Sequence, residues 1–379
     1  MSKDFDVVMA LNYYAPYVSG LTDAARMVAE EMASRGKRVV VVACQHDKSL
    51  PLEESINGVT VIRTKVIARI GKGLISPAFA TTVIRLGRRA KVVNLHSPMI
   101  ESGLIALGLG SVPVVVTYQC DIALLPGMFN RLQTIVMDAS NALAFTKSSA
   151  IVPSSSDYAN SSRIRKWMPV DKMRPIAPPT RLHPKGRPSF RRSTGPHIGF
   201  LGRLVEEKGL QYLVDGFRGV KDPDARLLIA GDYTKVAGGS VVEVVRRHMA
   251  GDSRIELLGF LADDQIADFY ASLDYFALPS VNSFEAYGIV QIEAMRLGVA
   301  ALASDMPGVR EPVRSTGFGV IVPPRDPEAI TRGLNQLISE PPDRVEGARR
   351  TSELYSMERS VRDYSALFDH VARADKDHE

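Results

Sequence analysis

Glu285 and Glu293 stand eight positions apart in SVNSFEAYGIVQIEAM, residues 280–295, with a Tyr-Gly pair between them and apolar residues around. One carboxylate in a loop and a second within the helix that follows can each accept hydrogen bonds from hydroxyl groups of a single ligand. Upstream, GFLGRLVEEKGL (199–210) places Arg203 at the end of a strand-like run and Lys208 after a short acidic turn. Both cations can converge on one anion. A diphosphate suits them, since guanidinium binds in bidentate fashion and ammonium acts as a mobile point charge. A helix opening near Tyr287 or Gly288 aims its free amide groups at the same place. Taken singly, two basic residues near a turn and two glutamates on a helix also describe a solvated surface. Their weight comes from a shared strand-loop-helix setting.

The elements that must hold these residues are legible as short runs of Val, Ile and Leu, the mark of strands buried in a parallel sheet. The first half offers residues 6–13, 38–45, 59–67, 91–97, 112–119 and 150–155; the second offers 196–204, 225–232, 254–261, 275–280, 299–305 and 319–324. Helical patterns fall between most of them, one running from about Thr22, a candidate N-cap, to Arg35 before Gly36. Alternating strands and helices predict an α/β protein with doubly wound sheets. The stretch PPTRLHPKGRPSFRRSTGP (178–196) is rich in Pro, Gly, Ser and Arg and reads as a linker. The expected division is a first domain over 1–185, a second over 196–355 and a C-terminal helix within 356–379, its ADKDHE tail frayed.

At 379 residues the chain is long enough for two cores, and 45% apolar with 23% charged residues is a globular composition. Two cysteines, Cys44 and Cys120, exclude a disulfide framework and a cysteine zinc site and fit a reducing, cytoplasmic setting. The start, MSKDFDVVMA, shows no basic leader before an apolar run, and the longest apolar run, Leu104 to Val116, is too short for a bilayer. The net charge of +5 divides unevenly: residues 1–190 carry 24 Lys plus Arg against 13 Asp plus Glu, a net +11, and the remainder carries −6. Between Glu54 and Glu101 no acid interrupts Arg63, Lys65, Arg69, Lys72, Arg85, Arg88, Arg89 and Lys91. That window predicts either a basic face for an anionic partner or simply a solvated basic surface.

The combination GRLVEEKG (202–209), IAGDY (229–233), LGFL (258–261), SFEAYGIVQIEAM (283–295), DMPGVREPV (305–313) and TGFGVIVPPRDPEAI (316–330) resembles the retaining glycosyltransferases of family 4, proteins of GT-B fold with two Rossmann-like domains facing a cleft. The likeness extends over essentially the whole chain; in the first half it is carried by NYYAPYVSGLTDAARMVAEEMASRGKRVVVV, VVNLHSP and PVVVTYQCD. It implies transfer of a hexose from a UDP- or GDP-linked sugar to an acceptor hydroxyl, with retention and front-face attack assisted by the leaving phosphate. Arg203 and Lys208 would hold the donor diphosphate, Glu285 the hexose and Glu293 the ribose. Gly20, Gly202, Gly231, Gly288, Ile289 and Val290, with the neighbouring Tyr287, would approach the nucleotide through backbone, and Leu258 to Phe260 the base. The first domain would take the acceptor, either a lipid or lipid-linked glycan or a small metabolite, and the final helix would cross back to brace that domain. Two positions depart from the family pattern. Ser19-Gly20 replaces a glycine pair, and Gln119 stands where many relatives carry a histidine; His96, at the neighbouring strand end, is the alternative for that role.

No cofactor or divalent metal is expected: Asp-x-Asp occurs at Asp4/Asp6, at Asp222/Asp224 in the turn before the 225–232 run, and at Asp375/Asp377, and no His/Cys cluster has ligand spacing. A nucleotide-sugar epimerase would share the two-domain architecture, though it needs acid and base groups around the sugar ring. A nucleic-acid-binding protein fits the basic half, but no P-loop, zinc finger or RNA-binding signature occurs and the basic window lacks interleaved aromatics, so no nucleic acid is expected. Under the transferase reading, Ile67 to Leu86 is a candidate contact with an anionic membrane surface, which would place the protein at the inner face.

Overall fold

The computed structural model describes residues 3–70, 73–122, 127–233 and 240–374; Lys72 of the basic window and the Asp375/Asp377 pair lie outside them. The chain forms two compact units, Met1–Pro179 together with Met357–Glu379, and Thr180–Ser356.

Unit 1 contains β1 (Phe5–Ala10), α1 (Gly20–Ser34), β2 (Val39–Gln45), β3 (Glu53–Ile56), β4 (Val59–Lys65), the hairpin β5 (Ala68–Ile70) and β6 (Gly73–Ile75), α2 (Pro77–Gly87), β7 (Ala90–Ser97), α3 (Ser102–Gly108), β8 (Val114–Tyr118), α4 (Met128–Lys147), β9 (Ala150–Pro153) and α5 (Ser156–Ser161). Its seven-stranded sheet runs β3-β4-β2-β1-β7-β8-β9, parallel except for β3. With that edge strand set aside, the parallel strands follow the order 3-2-1-4-5-6 of a dinucleotide-binding fold. Val39 to Cys44 are all buried, as a strand covered on both faces requires. Helix α1 turns Ala25, Val28, Ala29 and Met32 inward. Its N-cap is Ser19, whose Oγ accepts from Thr22 N at 3.2 Å while Thr22 Oγ1 accepts from Ser19 N at 2.9 Å. Thr22 is thus the reciprocal partner of the cap rather than the cap itself, because the helix begins two residues earlier than its apolar periodicity does.

Unit 2 contains β10 (His197–Leu201), α6 (Leu210–Arg218), β11 (Arg226–Ala230), α7 (Val242–Met249), β12 (Ile255–Gly259), α8 (Asp263–Ala271), β13 (Tyr275–Leu278), α9 (Ile289–Arg296), β14 (Ala300–Ser304), α10 (Glu311–Thr316), β15 (Gly319–Val322), α11 (Pro327–Ser339) and α12 (Arg344–Leu354). The six parallel strands run β12-β11-β10-β13-β14-β15, again 3-2-1-4-5-6. In this order the chain direction of the crossovers reverses between β10 and β13, and between β1 and β7 in unit 1, opening a crevice at the strand C-termini. The last helix, α13 (Met357–Ala374), belongs to unit 1 and buries Val361, Tyr364, Leu367, Phe368 and Val371 in the cluster that holds Val7, Met9 and Val28.

Two expectations change. Residues 180–196 lack regular structure, as Pro and Gly dictate, yet they are docked on unit 2: Arg187 N donates to Asp268 Oδ1 at 2.8 Å and Phe190 N to Ser272 Oγ at 3.0 Å. A Cβ at Gly186 would stand 2.1 Å from Ala267 O. The basic window is also less free than its sequence suggests. Arg63 is buried against Glu54, Arg89 pairs with Asp4, and Lys91 Nζ lies 2.7 Å from Asp6 Oδ1, because strand pairing imports acids from outside the window. Of the expected membrane-contact stretch, Phe79, Val83 and Leu86 are buried by α2, whereas Ile67, Ile70 and Ile75 are exposed.

Phe368 is buried in unit 1, so Phe368→Ala should lower that unit's stability by about 3–5 kcal/mol. Hydrogen exchange should register the loss in the β1 and β2 amides and leave protection in β10 and β11 unchanged.

Candidate active site

In unit 2 the loops following β10 and β13 are stitched together at the switch point. Val281 N donates to Glu207 O at 2.9 Å, and Gly209, at φ 64°, lies so close to the other loop that a Cβ would stand 2.2 Å from Pro279 O. Only glycine fits there. This joint brings the Lys208 ammonium onto the Glu285 carboxylate, with both side chains nearly buried. Ser280 Oγ reaches the same carboxylate oxygen at 3.5 Å. Arg203 extends from the end of β10, its guanidinium half exposed and 3.6 Å from Glu207. The Lys208 stem runs beside Gly202, where an added Cβ would lie 3.7 Å from Cε.

Glu285 is presented by an Asx-type turn in which Phe284 N donates to Asn282 Oδ1 at 3.1 Å. Four residues later α9 begins at Ile289 with Gly288 as cap, at φ 79° and with no room for a Cβ against Leu278. Ile289 and Val290 form its first turn, half-buried, so their amides belong to the unpaired N-terminal set. The side chain of Tyr287 is buried, its ring edge-on to Tyr355 at 6.2 Å, and burial raises its phenol far above the ordinary range. Glu293 sits deeper along α9, accepting from Tyr270 Oη at 3.1 Å and lying 3.4 Å from His183 Nε2. The structure therefore unites Lys208, Glu285 and the Arg203 loop, and gives Glu293 separate partners.

The strand ends beside them are built from glycine. Gly202 N donates to Ala230 O at 3.0 Å and Gly231 N to Gly259 O at 2.8 Å, and a Cβ at Gly231 would fall 1.8 Å from Gly202 O. Leu258, in β12, is half-buried, whereas Phe260 just beyond it is fully displayed to solvent.

At the strand ends of unit 1, Gln119 Nε2 lies 2.9 Å from His96 Nδ1, so the two candidates for one role are hydrogen-bonded neighbours. With the amide donating, the ring proton sits on Nε2, which is buried without a hydrogen-bond partner among the described residues. Burial alone pushes the His96 pKa down to about 4, so the ring is neutral at pH 7. Gly20 opens α1 beyond β1 and is exposed. Sequence reasoning missed a neighbouring group: Tyr13, Tyr17 and His46, with ring centroids 4.6–5.8 Å apart, and Asn12 with Glu101, whose carboxyl is raised by burial and opposed by a hydrogen bond from Asn12. Tyr13 and Tyr17 lie inside the quoted opening loop, but nothing local signals their convergence with residues 46 and 101. Ser280, Glu207 and Gly209 were missed for the same reason.

Two Rossmann-type units, each with charged and polar groups at its switch point, define the GT-B class of glycosyltransferase. Residues 185–353 match the family described as glycosyl transferases group 1, and residues 19–179 match the glycosyl transferase 4-like domain. The chain is 26% identical over 351 residues to the phosphatidyl-myo-inositol mannosyltransferase of Mycobacterium leprae, covering 87% of each chain. Among solved structures, sucrose-phosphate synthase from Thermosynechococcus elongatus superposes with TM-score 0.77 at 18% identity, over 98% of this chain and 100% of that one. The Anabaena protein HepE in complex with UDP-glucose gives 0.72 at 15% identity, over 97% and 100%. These structural likenesses show the fold. The chain belongs to glycosyltransferase family 4.

Two measurements follow. A double-mutant cycle on Lys208→Ala and Glu285→Ala should give a coupling of about 1–3 kcal/mol in unit 2 stability, because either single change strands a nearly buried charge. For His96, a folded pKa of about 4 against an ordinary 6.5 means that the unfolded chain binds the proton first on acidification. Its contribution is complete above pH 6.5, is lost progressively down to pH 4 and is then constant, an effect of about 3 kcal/mol. The difference in unfolding free energy between wild type and His96→Gln should change across that window and be flat above it.

Proposed function

We propose that the protein transfers a hexose from a nucleoside-diphosphate sugar to an acceptor hydroxyl with retention of anomeric configuration. The observation that carries this reading is the Lys208 and Glu285 pair, held beside Arg203 and ahead of the N-terminus of α9 at the switch point of unit 2. A bound diphosphate gives Lys208 a stronger partner than one carboxylate, and its departure from Glu285 leaves that carboxylate free to accept hydrogen bonds from the hexose hydroxyls. Arg203, Lys208 and the first amides of α9 then stabilise the negative charge that grows on the leaving phosphate; in this account the cations, rather than a divalent ion, supply that neutralisation. Gly202, Gly231 and Gly288 let backbone approach the nucleotide closely. Glu293, oriented by Tyr270, takes the ribose, and Leu258 with Phe260 takes the base. HepE, of the same fold, is known with UDP-glucose bound, which supports a uridine donor.

Unit 1 binds the acceptor. His96, neutral and with an unpartnered Nε2–H, can donate to a sugar hydroxyl but cannot act as a cationic acid near pH 7. Gln119 fixes that tautomer. The relative from Mycobacterium leprae is named for an inositol lipid acceptor, and the polar and aromatic group around Asn12, Tyr13 and Glu101 suits a polyhydroxylated ring.

Calorimetric titration with UDP, GDP and their sugars tests the reading. Arg203→Ala should weaken the bare nucleoside diphosphate at least about tenfold. Glu285→Ala should keep or improve binding of the bare diphosphate and abolish the gain contributed by the sugar. Failure of any nucleoside diphosphate to bind at millimolar concentration would overturn the proposal.

A further inference from the structure

Most apolar side chains of unit 1 are in its core, but α3 and α4 are an exception. Phe129, Leu132, Ile135 and Val136 on α4 and Leu104 and Leu107 on α3 are each 43–63% exposed. The two helices are packed together, since Gly103 N donates to Ser140 Oγ at 2.9 Å and a Cβ at Gly103 would lie 3.1 Å from Leu143 Cδ2. Their outward residues therefore make one surface. With Met128 and Leu143 at its ends, this surface exposes on the order of 800 Å², about what each partner gives to a stable protein interface and more than the largest apolar patch of an ordinary monomer.

We infer that this face is the contact between two copies of the chain, related by a two-fold axis across α4. Charge distinguishes a second copy from a lipid surface. Helix α3 carries no charged residue, and α4 carries only Arg131, Asp138 and Lys147, of which Asp138 is taken by Arg163 at 2.7 Å. A helix lying on an anionic bilayer carries a basic polar face, which α4 lacks. In a two-fold contact the same patch meets itself, so a neutral apolar stripe is self-complementary without like-charge repulsion. The exposed Ala139, between Val136 and Leu143, allows two copies of α4 to approach closely. At 20 residues α4 is roughly 30 Å long, enough to span such an interface.

Sedimentation of the full-length protein from about 1 to about 100 μM decides the matter. Wild type should sediment at twice the chain mass, and Leu132→Glu and Leu104→Glu should each raise the dimer dissociation constant at least about tenfold. Ile67→Glu, an exposed apolar position on a different element, should leave it unchanged. A monomeric wild type over the whole range, or a dimer untouched by both α3 and α4 variants, would overturn the inference. A monomer that floats with vesicles and loses flotation in Leu132→Glu would reassign the face to lipid.

Discussion

A lysine and a glutamate nearly removed from water, joined to each other at the end of two adjacent strands, set the terms for everything else in unit 2. Burying opposite charges costs more desolvation than a single contact returns unless other groups fix the geometry. Here the geometry is fixed by backbone: the Val281 to Glu207 hydrogen bond and the close approach of Gly209 to Pro279 hold the two loops in register. Such a pair contributes little to stability compared with an apolar replacement. Its retention makes sense if each charge has a second partner for which the first is a placeholder. The lysine has a natural alternative in an anion, and the carboxylate in a hydroxyl-bearing group. Under the proposed function, a nucleoside-diphosphate sugar offers both, in that spatial order.

The same strand order in both units explains why chemistry-bearing residues gather where they do. In a 3-2-1-4-5-6 sheet the helices leaving the two central strands fall on opposite faces, so the loops between them part and leave a crevice. Arg203 and Lys208 follow the first strand of unit 2, and Glu285 follows the fourth. In unit 1 the equivalent strands end at Asn12 with Tyr13 and at His96. Burial tunes the second group differently from the first. Lys208 and Glu285 are ion-paired in unit 2, whereas in unit 1 burial pushes the His96 imidazole down and the Glu101 carboxyl up, with no opposite charge beside the imidazole to offset it.

Much of this was legible in the sequence, for reasons that are local. The Val-rich runs gave the parallel strands, and Gly288 marked the start of α9, because a left-handed cap in contact with Leu278 admits nothing else. Glu285 and Lys208 could be singled out by type and spacing, but not as partners, since they are 77 positions apart and meet only through sheet pairing. The edge strand β3, EESI, has no apolar run to betray it, for an edge facing water needs none. The burial of the Tyr287 side chain was not legible, because its contact with Tyr355 comes from a distant segment. Three of the window's basic residues have acidic partners that its own sequence does not show: Asp4, Asp6 and Glu54 are neighbours in space of Arg89, Lys91 and Arg63.

A crystal structure of the protein with a nucleoside diphosphate tests the central claim most directly. The account predicts Lys208 Nζ at hydrogen-bonding distance, about 2.7–3.2 Å, from an oxygen of the terminal phosphate, drawn off a Glu285 carboxylate that then faces open space at the β13 end. A nucleotide bound away from the ends of β10 and β13, with Lys208 still on Glu285, would contradict it.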